Sequence, residues 1–307
     1  MSIFADGMIT ELSILIPTYN YCCVELVRDL HSQAVLLNVP FEIIVADDGS
    51  ENKKTVQDNS SINLLHHCRF IRREENIGRS AIRNFLVQQS KYSTLLFLDG
   101  DGKIDNPDFL KNYMTNNAPV VDGGVDILYD KTLENNLKYK YEYANKEKHN
   151  AFKRQSRPYQ HFRTTNFMVS RNIMIRFPFD ERYRYYGYED VILGKTFHQN
   201  NIHICHINNP ICMEGMENNP DFVKKTEEGL RTLYSFKDEL KDYSRLLTFL
   251  QRQNSLIISC IQTFHHCFGN LERKNLVGNH PQLWIFKLYK IGYYLDYAKE
   301  LSSVASL

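Results

Sequence analysis

The 307 residues suffice to bury a substantial core, in one large domain with an appendage or in two modest domains. A hydrophobic content of 43% beside 24% charged residues is that of a globular chain and excludes global disorder. A formal net charge of +1 gives no long-range field for drawing the protein onto nucleic acid or an anionic membrane, so nucleic acid is not an expected partner.

The chain opens on MSIFADGMITELSILIP, which lacks a cationic start, a following apolar run and a small-residue cleavage site; no secretory signal is expected. LSILI (Leu12 to Ile16) is a short apolar run stopped by Pro17, and apolar residues recur at helical spacing from Val24 to Leu37. FEIIVA (Phe41 to Ala46) is a second run, rich in β-branched residues and cut off by DDGS. RFIRRE (Arg69 to Glu74) reads as a third strand and the stretch from Gly78 to Gln89 as a helix. TLLFL (Thr94 to Leu98) is the fourth run and ends at DGDG. Strands alternating with helices predict right-handed crossovers and an open, mainly parallel α/β sheet covered on both faces. Ligands of such sheets bind outside the carboxyl ends of the strands, so PTYN, DDGS and DGDG are expected to converge on one rim.

Residues 122–162 are rich in Tyr, Lys and Arg; a solvated helix plus loop is the expectation, a basic flap over a diphosphate the sharper alternative. After Phe236 the chain reads as helical to its end, with Gly269 and Gly278 in a loop. The domain expectation is 1–235 for the α/β domain and 236–307 for a helical extension. The seven cysteines, odd in number and scattered, read as reduced thiols. No apolar run reaches the roughly 18 residues of a membrane span, and the expected location is the cytoplasm.

Asp99 and Asp101 flank Gly100 at the end of a buried run, and either carboxylate can face the crevice. Hard oxygen donors of this kind suit Mn²⁺ or Mg²⁺, which complete their shells with phosphate oxygens and water. Asp47 and Asp48 suit a turn or N-cap, or else present a carboxylate to the imide N–H of a uracil. Pro17, Thr18, Tyr19 and Asn20 would form the opposite wall, with Tyr19 offering an aromatic face to a base. Arg79 and Arg83 lie four apart, on one face of a helix, and arginine suits phosphate; ordinary surface arginines fit the segment as well. Glu189 and Asp190 open an amphipathic stretch, where the helix dipole favours acids; in a cleft, one of them would serve as a general base. Tyr185, Tyr186 and Tyr188 just before them suit a sugar platform. The His66–Cys68 and His265–Cys267 clusters lack the paired spacing of a zinc site, and His203, Cys205, His206 and Cys212 read as packing residues.

The ordered set LSILIPTYN, IIVADDGS, ENIGRSAIRN, LLFLDGD and GYED resembles the family 2 inverting glycosyltransferases with the GT-A fold, over roughly residues 10–235. The resemblance implies a nucleotide-sugar donor, a glycan or lipid-linked acceptor and a role in cell-surface polysaccharide synthesis. It implies that Asp48 recognises uracil in a nucleotide pocket lined by Pro17, Tyr19 and Asn20, that Arg83 faces the diphosphate or sugar, and that Asp101, helped by Asp99, holds the metal. Asp190 takes the position of the base and Glu189 that of a ligand for acceptor or donor hydroxyls. Two positions depart from the pattern: Gly102 stands where many relatives carry a further Asp, and Met213 where many carry a His. A thioether is a poor ligand for a hard cation, so weak metal binding, or replacement by His206 or Glu214, is expected. These departures also motivate a rival reading, a non-catalytic nucleotide- or sugar-binding subunit. The tail PQLWIFKLYKIGYYLDYAKEL suits peripheral membrane contact, packing on the catalytic domain, or homodimerisation.

Overall fold

A computed structural model describes residues 9–304; the amino-terminal stretch read above for a signal lies partly outside the described residues. The strands are β1 (Leu12–Thr18), β2 (Phe41–Asp47), β3 (Cys68–Arg72), β4 (Thr94–Leu98), β5 (Gly102–Lys103), β6 (Val120–Asp122), β7 (Val125–Asp126), β8 (Asn166–Ser170), β9 (Ile204–His206) and β10 (Ile211–Met213). Helices α1 (Val24–Leu36), α2 (Lys53–Ser60), α3 (Arg79–Gln89), α4 (Phe109–Met114), α5 (Leu137–Tyr143), α6 (Ala151–Gln155) and α7 (Arg171–Arg176) alternate with them. The chain continues through α8 (Glu189–Gln199), α9 (Asn219–Ser235), α10 (Lys237–Leu240), α11 (Arg245–Gln251), α12 (Ser255–Val277) and α13 (Leu283–Val304).

The main sheet has seven strands in the order β3-β2-β1-β4-β8-β6-β9. It is parallel except for β8, which runs against both β4 and β6. The four strands legible in the sequence are its first four. Its other three strands are short segments from later in the chain, and those of three residues are too brief to show a period. Alternate residues on a strand point to opposite faces, and here both faces are dry. Ile14, Ile16, Ile43, Val45, Leu96 and Leu98 pack in one core with α1 and α4. Their neighbours Leu15, Ile44, Ala46, Leu95 and Phe97 pack in another with Ile82 and Leu86 of α3. Burial on both sides explains why these strands read as continuous apolar runs.

The chain forms two compact units, and they interleave in sequence: one collects residues up to Ile127, Lys146–Arg184 and Leu193–Gly215, the other Leu128–Asn145, Tyr185–Ile192 and Met216 onwards. The anticipated boundary at residue 235 falls inside the second unit. That unit has its own core, in which Leu137 of α5, Phe222 and Val223 of α9, Leu276 of α12, and Phe286 and Tyr289 of α13 are buried together. The Tyr- and Lys-rich tract is therefore not simply solvated, since Leu137, Lys138 and Tyr139 are all buried. Gly269, expected in a loop, sits inside α12, and Gly278 forms that helix's C-cap; a single glycine costs a long helix only about 1 kcal/mol, too little to break 23 residues. All seven cysteines are unpaired. No helix among the described residues is long and apolar enough to cross a membrane.

Behind β6 the first unit buries a charge network. Arg154 of α6 donates to Asp122 Oδ1 at 2.8 Å, to the carbonyls of Ile207 (2.6 Å) and His149 (2.8 Å), and lies 2.7 Å from His206 Nδ1. His206 Nε2 meets the carbonyl of Pro158 at 2.9 Å; a carbonyl only accepts, so that nitrogen carries the proton and Nδ1 accepts from the guanidinium. Removing one member of a buried ion pair strands the other without water. Arg154→Met is expected to lower the unfolding free energy by about 3–5 kcal/mol, read from urea denaturation; a loss under about 1 kcal/mol would show that Asp122 is not held in this way.

Candidate nucleotide-sugar site

Three loops leave the carboxyl ends of β1, β2 and β4, and the structure brings them together. The amide of Asp48 donates to the carbonyl of Thr18 at 2.9 Å. Asn20 bridges the first two loops, its amide donating to Ser50 Oγ (2.7 Å) and its Oδ1 accepting from the amides of Glu51 and Asn52 (3.0 Å each). This costs Asn20 a left-handed backbone, φ 52°, a conformation asparagine tolerates better than most residues. Gly100 completes the approach: a Cβ there would stand 3.3 Å from the Pro17 carbonyl. Tyr19 is 47% exposed, leaving its ring open to a base.

The DDGS loop is a turn, and its two aspartates divide the work. Asp47 accepts from the amide and hydroxyl of Ser50. Asp48 reaches across to the segment before α3 and accepts from the amides of Ile77 (2.9 Å) and Gly78 (3.1 Å). Burial pushes the Asp48 carboxyl up, while these two amides and Arg73 oppose the shift. Gly49 is required here: its φ is +74°, and a Cβ would meet the backbone of Glu75 and Asn76 at 2.7 Å.

Helix α3 delivers the arginines. Arg83 is 2% exposed; its Nη2 donates to Asp99 Oδ1 at 2.5 Å and its Nη1 to the carbonyl of Arg79 at 3.0 Å. A guanidinium expected to face the diphosphate is thus buried against the acid at the end of β4. Arg79 is the outer member, 3.8 Å from Asp99 Oδ2 with 39% of its side chain exposed. Asn84 pins the segment leading towards α8, exchanging hydrogen bonds with both the carbonyl and the amide of Phe179 and donating to Glu181 at 2.8 Å.

Asp101 is half-buried where β4 gives way to the small sheet β5-β10-β7. Its carbonyl accepts from the amide of Glu214 at 3.4 Å, and a Cβ on Gly215 would lie 3.1 Å from the Asp101 Cβ. Of the two substitutes suggested for Met213, Glu214 is the one beside Asp101; its side chain is 54% exposed and 3.6 Å from Lys103. His206 is committed to the Arg154 network and does not belong to this site. The two departures from the family pattern turn out to be cross-strand partners, Met213 pairing with Gly102. Gly102 is small for a steric reason, because a Cβ there would run into the buried Ile211, 2.6 Å from its Cγ1. No group of three or more His, Cys, Asp or Glu among the described residues makes a ready-made metal cage. A divalent ion bound mostly by nucleotide oxygens and water needs only one or two protein carboxylates, and Asp101 with Glu214 alongside fits that lesser demand.

Glu189 and Asp190 open α8 within the second unit, after a turn in which Gly187 (φ 92°) and Tyr188 (φ 71°) are both left-handed. Burial, then the Asp190 carboxylate, pushes the Tyr188 phenol up. Tyr185 is 66% exposed; the amide of Tyr186 donates to Glu228 at 3.0 Å. Sequence reading named Asn20 as part of the wall but not its bridge to Ser50, Glu51 and Asn52, although DDGS had already marked Ser50 as a turn residue.

Residues 13–184 match the sequence family described as glycosyl transferase family 2. The chain belongs to that family. Among solved structures, this glycosyltransferase is similar to S. aureus TarS 1-349, with 17% identity, coverage of 95% of this chain and 91% of that one, and a TM-score of 0.51. TarS 1-349 in complex with UDP-GlcNAc aligns with a TM-score of 0.50 at 16% identity, over 95% and 92% of the two chains. The mannosyltransferase PcManGT from Pyrobaculum calidifontis, in complex with GDP-Man and Mn²⁺, aligns at 0.53 with 10% identity, over 94% and 86%. At such identities the likeness establishes the GT-A fold. A comparison with curated protein sequences finds no match.

The packing of Gly102 can be tested directly. Gly102→Ala is expected to cost about 1–3 kcal/mol through overpacking, and Ile211→Val in the same chain should recover part of it, as thermal or urea unfolding would read. If Gly102→Ala is as stable as the parent, steric conflict with Ile211 is not what keeps the position small.

Proposed function

We propose that this glycosyltransferase moves a sugar from a UDP-sugar to a hydroxyl of a glycan or lipid-linked acceptor in cell-surface polysaccharide synthesis, in one displacement that inverts the anomeric centre. The observation that carries the reading is the meeting of the Thr18, Asp48 and Asp99–Asp101 loops on one sheet rim, in a chain of this family. Choice of UDP is supported by the TarS complexes with UDP and UDP-GlcNAc.

In this proposal Asp48 accepts the uracil imide proton with the lone pairs left over from Ile77 and Gly78, and Pro17, Thr18, Tyr19 and Asn20 line the nucleotide pocket. Arg79 meets the diphosphate. Arg83 works one step back: with Gly100 fixing the loop, it holds Asp99 in place. Asp101, with Asp99 and Glu214 nearby, would hold Mn²⁺ or Mg²⁺, which lends Lewis-acid stabilisation to the departing diphosphate; the complex of PcManGT with Mn²⁺ supports a divalent ion. Asp190 removes the proton of the incoming hydroxyl as it attacks the anomeric carbon, while Glu189 and Tyr188 bind the acceptor. The protein would act in the cytoplasm, at the inner face of the membrane, through its carboxy-terminal segment, alone or as a homodimer.

The second reading, a subunit that binds nucleotide sugar without turnover, is favoured by the Gly102–Met213 pair, standing where the family resemblance implies an Asp in many members and a His in many. Release of UDP from a panel of UDP-sugars separates the two readings: a pure binding protein releases none. Asp190→Asn is expected to lower turnover by about 10²–10⁴-fold with UDP affinity unchanged, measured by UDP release and by calorimetry; undiminished turnover removes Asp190 from the chemistry. Asp101→Ala should weaken UDP binding in the presence of Mn²⁺ and abolish the effect of a chelator. Equal UDP binding by the parent with and without chelator would end the metal assignment.

A further inference from the structure

The second unit carries a cleft that none of these roles uses. It measures about 620 Å³, within the ~300–1,000 Å³ typical of small-molecule sites. Its walls come from Tyr129–Ala144 and from Pro281–Trp284 at the entry to α13. Three tyrosines form a connected aromatic surface: Tyr143 stacks on Tyr139 with ring centroids 5.4 Å apart and planes at 19°, and lies 6.0 Å from Tyr129. The base of this surface is fixed, because Tyr139 is buried and its hydroxyl accepts from the amide of Asp130 at 2.8 Å. Its outer parts are open to solvent, with Tyr129 61% and Trp284 64% exposed. Trp284 stands exposed at the entry to α13, a helix that buries Phe286 and Tyr289 further along, and Tyr129 stands exposed on the opposite wall of the cleft.

The polar groups among these rings say what covers it. Glu134, Asn135 and Gln282 contribute a carboxylate and two amides, and Lys140 the one cation among the described residues that line the cleft. Lys140 Nζ donates to the carbonyl of Pro281 at 2.9 Å, and Glu134 accepts from the Tyr129 hydroxyl at 2.8 Å. One lysine against one glutamate leaves the cleft without net charge, so it offers no preference for a phosphate or diphosphate. An alkyl chain would cover the rings but strip water from the amides and the carboxylate without replacing their hydrogen bonds. A neutral pyranose satisfies both demands, laying an apolar C–H face on an aromatic ring while its equatorial hydroxyls reach amide and carboxylate groups around the edge.

We propose that this cleft is a glycan-binding site for a short neutral oligosaccharide, separate from the donor rim of the first unit. The glycosyl-transfer reading supplies only the reason for a glycan to be present; binding here requires no turnover. The site would favour short oligosaccharides over single sugars.

Trp284 is the only tryptophan of the chain, so its fluorescence reports on this cleft alone. Titration of the full-length protein with maltotetraose, chitotetraose and a galactan tetramer is expected to give a saturable shift with at least one of them, and none with UDP or with a dodecyl detergent. Tyr143→Ala and Tyr129→Ala retain the reporter and should each weaken that binding about tenfold, the loss of one aromatic contact, while circular dichroism and UDP-sugar hydrolysis stay as in the parent. The proposal is overturned if no tetramer gives a saturable shift, if the detergent gives the same shift, or if both variants bind as the parent does. A protein that binds a tetramer but releases no UDP from any UDP-sugar would keep this proposal and sink the catalytic one.

Discussion

The rim proposed to take the donor depends on one buried contact, that between Arg83 and Asp99. A guanidinium with 2% exposure tolerates such a place only with an anion against it, and Asp99 supplies that anion from the end of β4. The second nitrogen of Arg83 holds the carbonyl of Arg79, so the same side chain ties the first turn of α3 to the loop that carries Asp101. Because α3 also packs Ile82 and Leu86 against the sheet, the loop inherits the rigidity of the core. Functional groups are best held by packed elements whose own rotamers are locked, and here the lock is electrostatic. Asp99 thereby becomes a group that positions, and Asp101, two residues on, is left to face the ligand side of the proposed chemistry.

The same rim shows how a motif departs from its pattern without collapsing. Gly102 and Met213 face each other across β5 and β10, and the space beside Gly102 is filled by Ile211, itself fully buried. An acid at 102 would have to displace that isoleucine, so packing keeps the position small. What remains near Asp101 is Glu214, on the strand's exit and partly shared with Lys103. Lys103 is exposed and is pulled towards its charged form first by a hydrogen bond to Asp105, then by the charges of Asp105 and Glu214. A positive side chain and a carboxylate thus flank the Gly102–Met213 pair.

Much of this architecture was legible from the sequence, and the part that was not has a physical reason. Strands β1, β2 and β4 bury both faces, so their apolar runs stand out, and Asp47 and Asp99 mark the ends of β2 and β4. Strand β1 runs on through Pro17, expected to stop it, to Thr18, because Pro17 still pairs with Ala46. Strands β6, β9 and β10 have three residues each, shorter than the repeat needed to reveal a period. The tract 122–162 reads as solvated because residues such as Lys138 and Tyr139 look like surface residues, yet both are buried; long side chains bury their stems. Of the site, residue types and loops were readable, since turn chemistry and carboxylates announce themselves. Their commitments were not: nothing local says that Arg83 would spend its charge on Asp99 or His206 accept from Arg154, because both partners are distant in sequence.

The choice between Glu189 and Asp190 shows what burial adds. Both begin α8, where the helix dipole welcomes either acid, and no spacing argument separates them. In the structure Glu189 is 5% exposed and Asp190 half-buried, with Oδ1 accepting from the amide of Val191 at 2.8 Å. A base must meet its proton donor at hydrogen-bond distance, and an acceptor alcohol arrives from solvent, which favours the more accessible carboxylate. The turn before it is held at a cost, since a tyrosine at φ 71° occupies a region that bulky residues avoid. Burial of the Tyr188 ring and its hydrogen bond with Ser244 help offset that cost. The strain sits two residues from the acid proposed as base, so the backbone conformation that sets the start of α8 is maintained by side-chain packing rather than by local preference.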